Sequence, residues 1–314
     1  MIKALILGAL GFTGKHLVRR LRQIDNIRIL GADIYSDTTD DNGLDDYVSI
    51  DIGQEEQVSK VVRDWQPDWI FNLVGMVRGE AAKIYQTNLM GNIYLLEAVR
   101  LHVPNACILL VGTSAEYGRV TADGLPIREE QACQPVGAYG ASKNAATTAG
   151  MSYAKQYGMK VVIARPFNII GAGIPPSLVL GAILQRVNKA LATSANPVIT
   201  VGNLDTKRDF VAVEDVVEAY LKMIQGEYWG EVFNICSGQP RSIREIIELA
   251  LLHAPCPVSL EVDPSLVRSD DVAVLYGSLE KANRAFGFQP KVSLEQSIEE
   301  AWKYEVNGGG FAAI

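Results

Sequence analysis

The sequence predicts an α/β protein in which a doubly wound parallel sheet is followed by a smaller C-terminal substrate-binding region. Short apolar runs of β type alternate with helical patterns from Ile2 to Pro166. Most of these runs are continuously apolar, as strands covered by helices on both faces are, rather than alternating like half-exposed strands. A glycine-rich turn joins the first run to the first helical pattern, and repeated βα units of this kind present the carboxyl edge of a parallel sheet to ligands.

The elements follow in order. Ile2 to Leu7 is the first strand, and a helical pattern runs from Lys15 to Ile24. Ile27 to Ala32 is the second strand, ending in Asp33, and Tyr47 to Ile50 is the third, ending at Asp51 and Ile52. A helix from Glu55 to Trp65, closed by Pro67, leads to a fourth strand, Trp69 to Val74, which ends at Gly75. Ala82 to Leu101 reads as one long helix with Asn88 and Asn92 among its polar positions. Cys107 to Val111 is the fifth strand and Lys160 to Ala164 the sixth, with a helix rich in small residues, Ala141 to Gly150, between them.

Beyond Pro166 the alternation breaks at Gly171, Gly173, Pro175 and Pro176. Residues 1–165 are therefore assigned to the main sheet, and residues 166–207 and 236–314 to the smaller region. That region includes a helix around Leu178 to Leu191 and a strand from Pro197 to Val201. The helix Val211 to Gln225 and the strand Val232 to Ile235 suit a return to the main sheet, so residues 208–235 join it. Ser242 caps a helix through His253, with Glu245 in capping-box position, and Gly308 to Gly310 have the composition of a frayed end.

At 314 residues, 48% hydrophobic and 21% charged, the chain has enough apolar residues for one large core or two fused ones. A net charge of -7 and a pI near 5.2 provide no basic field for a phosphate backbone, so nucleic-acid binding is not expected. Cys107, Cys133, Cys236 and Cys256 lack metal-ligand spacing, and His16, His102 and His253 are scattered, so no metal site is expected. Met1 to Leu7 is read as the first strand rather than a leader, and no apolar run reaches the length of a membrane span. The expected setting is cytoplasmic.

Gly8, Gly11 and Gly14, with Phe12 and Thr13 between the last two, form a G-x-x-G-x-x-G turn. Such glycines let the backbone approach a pyrophosphate, whose charge is favoured by the free N–H groups and positive end of the following helix. Asp33 lies nineteen positions after Gly14, a spacing that suits a carboxylate accepting hydrogen bonds from an adenosine ribose. A 2′-phosphate would meet like charge there, so NAD is the expected cofactor, with NADH preferred and NADPH also accepted.

The candidate chemistry lies between Thr113 and Lys143. Tyr139 and Lys143 are four apart and share one face of a helix that Tyr139 opens. A phenol beside a fixed cation can exchange a proton near neutral pH. Thr113 follows the fifth strand and brings a hydroxyl to its carboxyl end.

Together these motifs resemble the extended short-chain dehydrogenases/reductases that act on nucleotide sugars. Within that superfamily they are similar to the GDP-4-keto-6-deoxymannose reductases and the GDP-mannose 4,6-dehydratases. The resemblance rests on Gly8 to Gly14, Asp51-Ile52, Asn72 to Gly75, Thr113 to Gly118, Tyr139 to Lys143, Arg165 to Gly171 and Gly202 to Phe210. It implies a Rossmann-type sheet, a nucleotide-sugar substrate that the last two motifs make GDP-linked, and a homodimer. The homodimer is also expected from the helices at Ala82 to Leu101 and Ala141 to Gly150, which offer more apolar surface than one sheet face needs.

The same resemblance makes Tyr139 the proton donor at the sugar oxygen, Lys143 its pKa-lowering partner and holder of the nicotinamide ribose, and Thr113 the hydroxyl that orients the substrate oxygen. It implies cofactor contacts from Asp51, Ile52, Leu73, Val74, Gly75, Asn88 and Phe167. Ser114, Ala115, Asn168, Arg208 and Arg268 would face the sugar nucleotide, the arginines as planar forks for diphosphate oxygens. An internal salt bridge with Asp209 or Asp215 is the other reading for these arginines. The dehydratases carry a glutamate two positions after the catalytic threonine, where this chain has Ala115 and places the acid one later, at Glu116. Reduction of a C4 ketone is therefore expected over dehydration, with 4-epimerisation or non-catalytic binding as alternatives.

Replacing Asp33 by Ser is expected to narrow a preference for NADH over NADPH, as measured by cofactor titration. Tighter binding of NADPH than of NADH by the unmodified protein would remove Asp33 from this role.

Overall fold

The computed structural model describes residues 1–36, 43–266 and 272–306. The chain begins with β1 (Ile2–Leu7), α1 (Phe12–Leu21), β2 (Ile27–Asp33), β3 (Asp46–Ser49), α2 (Glu55–Trp65) and β4 (Trp69–Asn72). It continues through α3 (Ala81–Tyr85), a π-helical turn (Gln86–Met90), α4 (Gly91–His102), β5 (Cys107–Val111), α5 (Ala138–Tyr157) and β6 (Lys160–Pro166). Next come β7 (Asn168–Ile170), α6 (Val179–Thr193), β8 (Val198–Val201), β9 (Lys207–Ala212), α7 (Val213–Gln225) and β10 (Val232–Ile235). The described chain closes with β11 (Pro240–Ser242), α8 (Ile243–Leu251), β12 (Ser259–Val262), β13 (Val274–Leu275), α9 (Glu280–Phe286) and α10 (Leu294–Val306).

Seven strands form a parallel sheet in the order β10-β6-β5-β4-β1-β2-β3. From β1 the chain winds outward to β3, then crosses back to β4 and proceeds the other way. The order therefore reverses between β1 and β4, and a crevice opens beyond their carboxyl ends. Side chains alternate across the pleat. Ala4, Ile6, Phe71, Leu109, Val162 and Phe233 pack with α1 and α7 on one face. Leu5, Leu7, Ile70, Ile108, Leu110 and Ile163 pack with α2 and α4 on the other. Both faces are sealed, which is why most of these strands read as unbroken apolar runs.

Local chemistry explains several boundaries. Asn72 ends β4 because its side-chain oxygen accepts the Val74 N–H at 3.2 Å, turning the chain out of the sheet. Gln66 closes α2 in a left-handed conformation, with φ 54°, just before Pro67. Ser242 caps α8 in the expected capping box, its hydroxyl accepting the Glu245 N–H at 3.1 Å and Glu245 accepting the Ser242 N–H at 2.7 Å.

Three expectations about helices are corrected. The span expected as one helix from Ala82 to Leu101 contains the π turn at Gln86–Met90, so its side-chain phase shifts midway. The first helix begins at Phe12, three residues ahead of the expected start, since Gly11 is already its N-cap. Val211 and Ala212 belong to β9 rather than to the helix after it, because they pair with Ile169 and Ile170 of β7.

The smaller region has its own core. Residues of α6, α8 and α10 meet β8 and β9 around Leu184, Val187, Ile199, Ile246, Ile298 and Trp302. Its strands pair as β11 and β13 on either side of β9, with β7 also on β9, and as β12 on β8. These pairings were not legible in the sequence, because two- to four-residue strands carry too little periodicity. Gly308 to Gly310 lie outside the described residues. Among those described, no helix is long and apolar enough to cross a membrane.

Ile70 is fully buried in the centre of the sheet, while Leu252 is 77% exposed. Ile70→Ala is expected to cost about 2–5 kcal/mol in urea unfolding. Leu252→Ala should stay within about 0.5 kcal/mol of the unmodified protein.

Candidate active site

The crevice beyond β1 and β4 widens into a cleft of about 500 Å³ between the main sheet and the smaller region. The floor is the glycine turn. Gly8 has φ +82°, and a Cβ there would stand 3.3 Å from the backbone of Leu73 and Val74, so the ends of β1 and β4 approach as only glycine permits. A Cβ on Gly14 would fall 2.2 Å from the Gly8 carbonyl oxygen. The N-cap Gly11 supplies no side-chain cap, and the first turn of α1 holds no acid, so the helix end facing the cleft has first-turn N–H groups suited to an anion.

Gly8, Gly11, Phe12, Thr13, Gly14, Leu73, Gly75 and Phe167, all expected at a cofactor, line this cleft. So do Thr113, Ser114, Ala115, Tyr139, Lys143 and Asn168. The structure therefore gathers the glycine turn and the threonine, tyrosine and lysine into one space.

Other expected residues lie behind it. Asp33 ends β2, and its carboxylate accepts the Leu10 N–H at 3.1 Å and the Ile34 N–H at 2.8 Å, tying the glycine turn to the second strand. Asp51 accepts the Gly53 N–H at 2.8 Å, while Ile52 is buried against Gly91. Val74 contributes its carbonyl rather than its side chain, as an acceptor for Lys143. Asn88, expected beside the nicotinamide, is fully buried and does not line the cleft. Placed on the π turn, it accepts the Met76 N–H at 2.8 Å and donates to the Met76 carbonyl and the Ser142 hydroxyl, both at 3.0 Å. It thus holds the loop after β4 against α5.

The arginine expectation changes in part. Arg208 is not among the residues lining the cleft, and its guanidinium donates to the Val272 carbonyl at 2.7 Å. The salt-bridge reading fares no better as drawn: Asp209 accepts from Ser237, Gly238 and Gly277, and Asp215 from the backbone of Lys291 and Val292. Arg268 lies outside the described residues.

Tyr139 and Lys143 stand on the first turns of α5, which begins at Ala138. Gly140 lets this helix close on the Thr113 loop, since a Cβ there would meet the Ala115 carbonyl oxygen at 2.6 Å. The Thr113 hydroxyl accepts the Ala115 N–H at 3.2 Å and lines the same cleft wall as Tyr139. Lys143 is 3% exposed and donates to the carbonyls of Val74 and Val111, each at 2.9 Å. Burial lowers its pKa to about 8, partly opposed by the charge of Glu116.

One expectation about charge is corrected here. Lys143 was expected to pull the Tyr139 pKa down, but burial dominates and raises it, with the Thr113 hydrogen bond lowering it and Glu116 raising it further. The lysine's protons are directed to strand-end carbonyls, so desolvation of the phenol prevails.

Glu116 itself is fully buried. Its carboxylate accepts from the Thr113 N–H at 2.9 Å, the Thr147 hydroxyl at 3.1 Å and the Arg165 Nε–H at 2.8 Å. It therefore faces away from the cleft. The sequence had marked its position but not its direction.

Residues 5–301 match the family model described as GDP-mannose 4,6 dehydratase. The chain belongs to the GDP-mannose 4,6 dehydratase family. It is an enzyme fold of the extended short-chain dehydrogenase/reductase type. Among its relatives, the GDP-6-deoxy-D-mannose reductase of Pseudomonas aeruginosa is 31% identical over 237 residues, spanning 74% of this chain and 78% of that protein. The GDP-6-deoxy-D-talose 4-dehydrogenase of Aggregatibacter actinomycetemcomitans is 26% identical over 307 residues, 96% of this chain and 97% of that protein. The structure of RMD from Pseudomonas aeruginosa complexed with NADPH superposes with a TM-score of 0.85 at 28% identity, covering 98% of this chain and 100% of that one.

Within this family fold, sequence reasoning missed the far wall of the cleft. Val77, Ile174, Pro175, Ser177, Leu178 and Leu180 close it from the smaller region and the loop after β4. The only sequence signal was the glycine and proline pair at Gly173 and Pro175, which marked a loop without its direction.

Lys143 gives a pH test independent of turnover. With its pKa near 8 when folded and at the ordinary lysine value near 10.5 when unfolded, the unfolded chain binds the extra proton between those limits. Stability of the unmodified protein relative to Lys143→Met should therefore rise with pH above 8, by about 1.4 kcal/mol per pH unit at most. Urea unfolding at two alkaline pH values checks the sign.

Proposed function

We propose that the protein is a cytoplasmic reductase that uses NADH, with NADPH also accepted, to reduce the C4 ketone of GDP-4-keto-6-deoxymannose to a GDP-6-deoxyhexose of the GDP-rhamnose type. The observation that carries this reading is the charge inventory of the cleft wall. Among the described residues that line it, Lys143 is the sole ionisable cation, and there is no aspartate, glutamate or histidine. Dehydration of GDP-mannose requires a base for the C5 proton, and Ala115 stands where that base is expected. Reduction requires only a hydride and a proton.

The residues fit the dinucleotide. The glycine turn and the uncapped start of α1 suit its diphosphate, Asp33 at the end of β2 beside that turn suits the adenosine ribose, and Lys143 suits the nicotinamide ribose. When bound, the reduced nicotinamide supplies the hydride for C4.

The protein's part is to orient the ketone and deliver a proton to its oxygen. Burial keeps the Tyr139 phenol protonated at neutral pH, which suits a proton donor in the reductive direction. The Thr113 hydroxyl, on the same cleft wall as that phenol, sets where the ketone oxygen lies. As hydride reaches C4, the developing alkoxide takes the phenolic proton and leaves the C4 hydroxyl. The phenolate is then reprotonated from solvent. The relatives named reductase and 4-dehydrogenase support redox chemistry at such a carbon.

A homodimer accompanies this reading. Tyr85, Leu101, Met151 and Tyr157 are exposed on α3, α4 and α5, and pairing these helices between subunits would cover them. Light scattering showing a monomer at micromolar concentration would overturn it.

Tyr139→Phe should lower keto-sugar reduction by roughly 10²–10⁴-fold while leaving cofactor affinity within about twofold. Stopped-assay mass spectrometry reads the gain of two hydrogens. Loss of water from GDP-mannose, or interconversion of a UDP-sugar with its 4-epimer without mass change, would replace reduction by a sister reaction.

A further inference from the structure

Behind Thr113 lies a buried polar cluster that the reaction does not itself use. Glu116 and Arg165 are 0% and 5% exposed. One carboxylate oxygen of Glu116 takes the Thr113 N–H and the Thr147 hydroxyl, and the other takes the Arg165 Nε–H. Arg165 in turn donates to the Tyr117 hydroxyl at 3.2 Å with its guanidinium over that ring, and Tyr117 donates to Asn234 at 2.7 Å. The cluster thus links the loop after β5 to β6 and β10. Room for it is reserved: a Cβ on Gly112 would lie 2.2 Å from the Glu116 oxygen that holds Thr113.

We propose that Glu116, clamped by Arg165, is a positioning residue that fixes the Thr113 backbone so that its hydroxyl meets Tyr139 and the substrate ketone.

The geometry gives the reason. Thr113 is extended, with φ -167°, and its side-chain direction depends on where its own N–H is held. Glu116 holds that N–H while Thr113 accepts from the following turn, so the hydroxyl proton is left to point along one path. A paired and fully hydrogen-bonded carboxylate has a fixed location, which a solvated side chain would not. Glu116 is also the anion that acts on both Tyr139 and Lys143, raising each pKa.

Two double variants separate the acceptor from the charge. Glu116→Gln/Arg165→Met removes both charges and keeps an acceptor for the Thr113 N–H. Glu116→Leu/Arg165→Met removes both charges and the acceptor. Replacing a buried ion pair as a unit avoids leaving one charge unpaired. In the glutamine form, kcat at the optimum should stay within about fivefold of the unmodified enzyme. Its alkaline limb should move to lower pH, because Lys143 loses the anion that favours its charged form. In the leucine form, kcat should fall a further tenfold or more, with KM and NADH affinity within about twofold of the glutamine form.

The turnover readout rests on the reductase reading, so amide exchange at Thr113 followed by NMR supplies one that does not. The amide should remain protected in the glutamine form and exchange at least tenfold faster in the leucine form. Equal kcat and equal Thr113 exchange in the two forms would overturn the proposal. If the leucine form does not fold, an unshifted alkaline limb together with lost Thr113 protection in the glutamine form overturns it. If the unmodified enzyme reduces no keto sugar, the reductase reading fails while the exchange comparison still decides the role of Glu116.

Discussion

A single buried ammonium holds the site's geometry together. Lys143 is anchored on α5 and donates to the Val74 carbonyl in the loop after β4 and to the Val111 carbonyl at the end of β5, so one side chain ties a helix to the exits of two adjacent strands where the cleft begins. A desolvated charge is tolerated there because strand-end carbonyls replace part of its hydration, and burial still lowers its proton affinity. Gly75 completes the fit, since a Cβ there would stand 3.1 Å from the ammonium nitrogen.

Around that anchor, close approach takes the place of bulk. Gly8, Gly112 and Gly140 each occupy points where a side chain would strike backbone or a buried carboxylate. Gly150 sets α5 tightly over Leu110. The small residues of α5 thus keep Tyr139 within reach of the Thr113 loop. Glu116 faces inward because Arg165 on β6 offers it a charged partner, which leaves the cleft wall without a carboxylate at this point.

The smaller region contributes enclosure more than charge. The segment after β7 brings Ile174, Pro175 and Leu178 to the cleft that Tyr139 also lines. It is steadied by His16 of α1, whose ring bonds the Ala172 carbonyl at 2.8 Å and lies 3.4 Å from Glu214. Burial holds the His16 pKa down near 4, so this contact is made by a neutral ring at physiological pH. The helix after the glycine turn and the far wall are thereby joined through a short polar bridge.

By itself, the sequence determined the parallel sheet, the glycine turn and the pairing of Tyr139 with Lys143. Each is a local pattern: strands sealed on both faces must be apolar, a tight turn must use glycine, and residues four apart share a helical face. The return of β10 to the sheet was legible as well, because Val232 to Ile235 is too apolar for a surface strand. Only the tertiary structure decided which way Glu116 and Asn88 face, since direction depends on Arg165, Met76 and Ser142, residues distant in the chain. The same holds for Arg208, drawn to the Val272 carbonyl, and for the phenol of Tyr139. Its proton affinity is governed by burial, a property of the assembled fold that spacing cannot encode.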